Sequence, residues 1–187
     1  MSKKPVLANS GNQERNTPKE LVEMARRVLG RIDLDPASND VAQETVKAAV
    51  YYTKDNSGLG RPWFGRVFMN PPYASAPFRA FVRHLIEEYL GGRVIAAVVV
   101  TNNNTETSAT QALLQVASAW CFPRSRVKFT AEDLSGAAGG LQGQLITYFG
   151  DNPALFLATF SPKGATGVPV RVPSVNLFNI EKESENE

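Results

Sequence analysis

The chain is short of the residues that most often carry metal or covalent chemistry. Of its 187 residues, one is cysteine (Cys121) and one is histidine (His84). A single cysteine excludes an internal disulfide and fits a reducing compartment, so a cytoplasmic location is expected. A single histidine argues against a histidine-based metal site and against a serine–histidine triad, and no metal is expected. Long hydrophobic runs are also missing. The longest clear one, Val94 to Val100, is strand-sized, well below the roughly 20 residues a membrane span needs, so no membrane partner is expected. The opening MSKKPVLANSGNQ has lysines but no apolar stretch, and does not read as a secretory signal. Neither sign of charge dominates: 20 basic residues stand against 18 acidic ones, a formal net charge of +2. The final EKESENE holds four glutamates and one lysine, so the remainder is mildly basic. That permits a nucleic-acid partner without demanding one.

What is present suits one ordinary domain. Apolar residues make up 43% and charged residues 20%, enough to bury a core without a disulfide or structural metal. Residues 1–15 are polar and without periodicity and are expected to be flexible. Residues 181–187 read as a flexible acidic tail, and residues 16–180 as a single domain with neither repeat nor linker.

Local patterns order the elements. Thr17-Pro18-Lys19-Glu20 reads as a capping box with proline in the first turn. Leu21, Val22, Ala25, Val28 and Leu29 then form one apolar helical face that Gly30 can end. Arg31 to Asp35 reads as a short strand, the stretch after Ser38 as a helix to about Ala49, and Val50 to Tyr52 as a second strand. Arg66 to Asn70 is a short apolar strand that Pro71-Pro72 must stop. A helix capped by Ser75 carries Phe78, Phe81, Val82, Leu85, Ile86, Tyr89 and Leu90 and stops at Gly91-Gly92. Val94 to Val100 reads as a strand buried on both faces. Ser108-Ala109-Thr110-Gln111 reads as a capping box opening a helix to about Ser118. Ala119–Phe122, Arg126–Phe129, Gln144–Phe149 and Leu155–Phe160 read as later strands. Alternating strands and helices predict an α/β fold with an open, mostly parallel sheet, helices on both faces and an antiparallel end. Residues 131–143, rich in glycine and alanine, are expected to be a mobile loop.

The most informative run is Asn70-Pro71-Pro72-Tyr73. It follows a strand, so it stands at the sheet edge where open α/β folds place ligands. Two prolines stiffen the backbone and remove two N–H donors, which leaves carbonyl acceptors. The Asn70 side chain adds an acceptor, and Tyr73 adds a flat stacking surface with a polar tip. A planar group with an exocyclic amine fits such a site.

On these residues the chain resembles the amino methyltransferases that use S-adenosylmethionine (SAM), whose motif is Asp/Asn/Ser-Pro-Pro-Tyr/Phe. More closely, it resembles the phage-type DNA N-6-adenine methyltransferases of the Dam family. The matching stretches are Thr17-Pro18, Leu34 to Ser38, Tyr51 to Trp63, Val67 to Tyr73, and Ser125 to Phe129. The resemblance implies a Rossmann-like methyltransferase fold and SAM as cofactor. It implies direct transfer of a methyl group to the N6 amine of an adenine flipped out of DNA. By position it implies that Asn70 and Pro71 accept from the target amine, with Pro72 stiffening the loop, and that Tyr73 stacks on the base. It also implies that Asp35, Pro36, Ala37 and Ser38 form the cofactor loop, with Asp35 accepting from the methionine amino group. Thr17-Pro18 would meet the methionine carboxylate, and Asp55 the ribose or adenine of SAM. A phage-borne gene would put the protein in the host cytoplasm. One departure stands out: Ser38-Asn39-Asp40 occupies the place of the Gly-x-Gly turn of many methyltransferases. Two readings remain beside this one: transfer to cytosine N4, RNA or a protein glutamine amide, or an inactive DNA-binding relic. The recognition sequence and oligomeric state are not written in these motifs.

Overall fold

The structure is a computed structural model that describes residues 15–131, 137–139 and 142–170. Expectations for residues 1–14, for the tail at 181–187 and for most of the loop at 131–143 fall outside these residues.

In chain order the elements are β1 (Arg15–Asn16), α1 (Lys19–Leu29), β2 (Leu34–Asp35), α2 (Asp40–Val46), β3 (Val50–Tyr51), β4 (Gly65–Met69) and α3 (Ser75–Leu90). There follow β5 (Val94–Asn102), α4 (Ser108–Val116), β6 (Ala119–Pro123), β7 (Lys128–Ala131), β8 (Ala137–Gly139), β9 (Gln144–Phe149), α5 (Pro153–Phe160) and β10 (Gly164–Gly167). Seven strands form one sheet in the order β10-β6-β9-β5-β4-β2-β3, and β1-β7-β8 form a second, small sheet. β3, β2, β4 and β5 are parallel neighbours; β9 runs against β5 and β6, and β10 against β6. Five of the seven strands therefore point one way, and the antiparallel pairs lie at one end, as the alternation of elements predicts.

Side-chain alternation builds a core on each face. From β4, Val67 and Met69 join one core and Phe68 the other; from β5, Val99 and Val98 part in the same way. The face with Phe68 and Val98 is covered by α1 and α5, and the face with Val67 and Val99 by α3 and α4. From Ala97 to Val100 β5 is covered on both faces and needs no polar position, so Val94 to Val100 reads as an unbroken apolar run, with Ile95 at its start exposed.

Three helix starts differ from the pattern reading. Pro18 holds the N-cap position of α1, and no side chain caps that end, so the Thr17 capping box does not form. Ser75 lies inside α3, with Ala74 before it and no side-chain cap. α4 is capped one residue earlier than expected, by Thr107, whose side chain accepts from the Thr110 backbone N–H. The larger correction is at 155–160, which is helical. Asn152 accepts from Leu155 N–H at 3.0 Å, and Pro153 occupies the first turn. This is a start signal that an apolar run of strand length conceals.

Candidate active site

The order of the sheet opens a crevice. From β2 the chain passes through α2 to the edge strand β3, then crosses back to β4 on the other side of β2. The connections after β2 and β4 thus diverge, and the space beyond their carboxyl ends is left open. A cavity of about 730 Å³ lies there. Its walls are Asn16 and Thr17, residues 35–39, Thr53, Lys54, Ser57 and Leu59, and residues 70–73, with Pro77 and Phe81 behind. Asp35, Pro36, Ala37 and Ser38 therefore share one chamber with Asn70, Pro71, Pro72 and Tyr73, and Thr17 joins them. Pro18 holds the N-cap position of α1 outside the wall, and Asp55 is exposed on the adjacent loop.

Asp35 ends β2 and is 2% exposed. Its Oδ1 accepts from Ala37 N–H at 3.3 Å and its Oδ2 from the Gln43 amide at 3.0 Å. Burial dominates over these bonds and raises its pKa to about 7. No cation pairs with it among the described residues. The bond to Ala37 also explains the missing glycines. It is a side-chain turn spanning two residues, and none of residues 35–39 has a positive φ. The connection closes without the conformations that call for glycine.

The opposite wall comes from β1, whose two residues are held by antiparallel pairing with β7. Asn16 Oδ1 accepts from Asn39 Nδ2 at 3.1 Å, while Asn39 Oδ1 caps α2 at Ala42. Among the described residues Asn16 Nδ2 and Thr17 Oγ1 are buried without a hydrogen-bond partner. Buried polar groups are nearly always paired, so two orphans on one cavity wall mark a place for a polar ligand. Motif reading finds Thr17 and misses Asn16, because a two-residue strand whose partner lies more than a hundred residues away leaves no local signal.

The segment from Thr53 to Arg61 closes a third side. Ser38 N–H donates to the Tyr52 carbonyl at 2.8 Å. A Cβ on Gly58 would stand 2.6 Å from the Pro36 carbonyl oxygen, so glycine permits the loop to press on the Asp35 turn. Trp63, fully buried, donates from its indole to the Gly58 carbonyl at 2.9 Å, and His84 Nε2 donates to the Arg61 carbonyl at 2.7 Å. Both side chains act here as structural pins.

At the end of β4, Pro71 is buried and Asn70 and Tyr73 are partly so. The Tyr73 hydroxyl donates to Asn70 Oδ1 at 2.7 Å. The Tyr73 ring meets Phe129 edge-on, with centroids 6.5 Å apart. A second cavity of about 110 Å³ lies against Tyr73, lined by the start of α3, by Asn102 at the end of β5, and by Asn104 and Thr107 of the loop that follows. Among the described residues no cluster of side chains could hold a metal ion, and no helix is long and apolar enough to cross a membrane.

Among solved structures the chain is similar to the 23S rRNA methyltransferase ErmE, with 11% identity over 71% of this chain and 68% of that one and a TM-score of 0.40. No curated protein matches it. The profile of the DNA N-6-adenine-methyltransferase (Dam) family matches residues 7–160. That match spans every wall of the cavity, so the chain belongs to the DNA N-6-adenine-methyltransferase (Dam) family, enzymes that methylate adenine N6 in DNA with SAM as donor.

Proposed function

We propose that the 730 Å³ cavity holds the cofactor on its 16–17 and 35–38 walls and receives an extruded adenine at Asn70, Pro71 and Tyr73. The observation that carries this reading is the meeting of three uncompensated polar groups in one chamber next to a strand-end acceptor loop. Among the described residues Asp35 is a buried carboxyl group without a cation, and Asn16 Nδ2 and Thr17 Oγ1 are buried without partners. SAM has the complementary set, an ammonium and a carboxylate on one amino-acid end, so the residues present fit it. Asp35 would accept from the ammonium, and Asn16 and Thr17 would meet the carboxylate beside the start of α1. The fit leaves Asp55 without a contact.

When bound, SAM supplies an already activated methyl group on a sulfonium, so no covalent intermediate on the protein is needed. The protein's share is alignment. An adenine amine is a weak nucleophile because its lone pair is shared with the ring. Asn70 Oδ1 and the Pro71 carbonyl accept its two hydrogens and favour a more tetrahedral nitrogen as the transition state forms. Pro71 and Pro72 hold these acceptors in a loop with few free torsions. The Tyr73 ring offers a face for the base, which must leave the duplex because its amine is out of reach inside the stack. DNA is therefore the binding partner, and the cytoplasm the proposed site of action.

The test is transfer from tritium-labelled SAM to unmethylated duplex DNA, followed by digestion and chromatography of the nucleosides. Label is expected in N6-methyladenine. Asn70→Ala should lower kcat by about 100-fold, the scale of losing one transition-state hydrogen bond in a closed site, while the Kd for SAM stays within about twofold. A variant that keeps its rate would remove Asn70 from the chemistry.

A further inference from the structure

We propose that the Tyr73 hydroxyl is a positioning group that orients the Asn70 amide toward the target amine. This role is separate from the stacking assigned to the ring, and it rests on the reading of Asn70 above. An asparagine amide has an oxygen end and a nitrogen end of nearly equal shape. Rotation of half a turn about its last bond replaces an acceptor by a donor. For an amine that must give up its hydrogens, the wrong orientation sets donor against donor. The acceptor loop therefore needs a device that keeps oxygen inward.

The geometry supplies one. The Tyr73 O–H donates to Asn70 Oδ1 at 2.7 Å. A carbonyl oxygen has two lone pairs, so one oxygen can accept from a hydroxyl and from the target amine at once. The hydroxyl returns to Asn70 across three residues, and the two between them are prolines, whose φ angles are fixed. The ring itself is held at its flank by Phe129, which is fully buried in β7 and meets Tyr73 edge-on. β7 is in turn paired with β1, the strand that carries Asn16 into the cavity wall. The Ser125–Phe129 stretch, which matches the family from a place far from the acceptor loop in sequence, thereby acquires a role. It steadies Tyr73, which steadies Asn70.

Tyr73→Phe keeps the ring and removes only the hydroxyl. The expected result is a fall in kcat of about tenfold, the loss that accompanies one neutral hydrogen bond, with KM for DNA unchanged within about twofold. Fluorescence of 2-aminopurine placed at the mapped target position should remain enhanced on binding, because the ring still receives the base. In an Asn70→Asp background the carboxylate has two equivalent oxygens and needs no orienting group. There Tyr73→Phe should change kcat by less than about twofold. SAM affinity equal to wild type reports an intact fold for each variant. Tyr73→Phe with kcat equal to or above wild type would overturn the proposal, the latter showing that the hydroxyl obstructs the acceptor. So would a loss confined to KM, or an equal loss in the Asn70→Asp background. If Asn70→Ala is itself active, the reading beneath fails; if Asn70→Ala is dead and Tyr73→Phe is not impaired, only the orienting role fails.

Discussion

Asp35 places a carboxyl group in a nearly buried position with no cation beside it among the described residues, and its proton affinity rises with that cost. Burial raises the pKa to about 7, against an ordinary value of 3.8. Between about pH 4 and about pH 7 the folded state therefore holds a proton that the unfolded chain has lost. Stability falls as pH rises through that window and is flat above it. Asp35→Asn is uncharged throughout. In protein free of SAM, the melting temperatures of the two should be closest below about pH 4, with the variant gaining up to about pH 7. The full gap is worth roughly 4 kcal/mol. A pH-independent difference in thermal melts would show an ordinary carboxyl group. The same proton governs ligand binding. An ammonium group requires the carboxylate, so the Kd for SAM should rise as pH falls below about 7, and this dependence should vanish in Asp35→Asn.

Among the elements, the connection from Thr53 to Arg61 does most to shape the cavity while having the least regular structure. It is pressed onto the Asp35 turn at Gly58 and pinned from behind by Trp63 and His84. Gly58→Ala puts a methyl group 2.6 Å from a backbone oxygen, and the loop must lift. We expect the Kd for SAM to rise about tenfold or more while kcat at saturating SAM stays within about twofold, as for a loss of uniform binding. An unchanged Kd in a titration would mean that the loop is no part of the cofactor wall. Element signals also show where pattern reading works. The faces of α1 and α3 and the unbroken run of β5 are legible because their periods differ and each has enough residues to show it. The 155–160 run is too short for its period to decide, and the deciding residues are the Asn152 cap and Pro153 in front of it. β1 and β10 leave no local trace, since both exist only through pairing with strands distant in sequence or lacking an alternating pattern of their own.

At the scale of the molecule, the cavity joins the amino-terminal strand, the β2 and β4 ends and the loop between them, so a ligand there should bind together parts that otherwise unfold together only through the core. A ligand that binds the folded state alone stabilises it by about 2.7 kcal/mol at a hundred times its Kd. For a chain of this length that corresponds to a rise in Tm of roughly 5–10 °C. Thermal melts with and without SAM check this, and Asp35→Asn should show a smaller rise. No shift with SAM at that excess would mean that the folded chain does not bind it.

The class of fold and the acceptor loop follow from the order of amino acids alone. Hydrophobic period and helix-start chemistry act over a few neighbouring residues, and Asn70-Pro71-Pro72-Tyr73 holds its chemistry in four consecutive positions. The same local logic puts Asp35 at the end of a strand and Pro36 to Ser38 just after it, and so at the same edge of a parallel sheet. Folding in three dimensions was needed for the rest. It makes these two stretches face one chamber, leaves Asp35 dry enough to hold its proton near neutrality, and lets its own side chain replace the glycine turn. It also brings Asn16 to the wall and Phe129 against Tyr73. These depend on strand order, on pairing across more than a hundred residues and on the exclusion of water, which are properties of the assembled sheet and not of any neighbourhood in the chain.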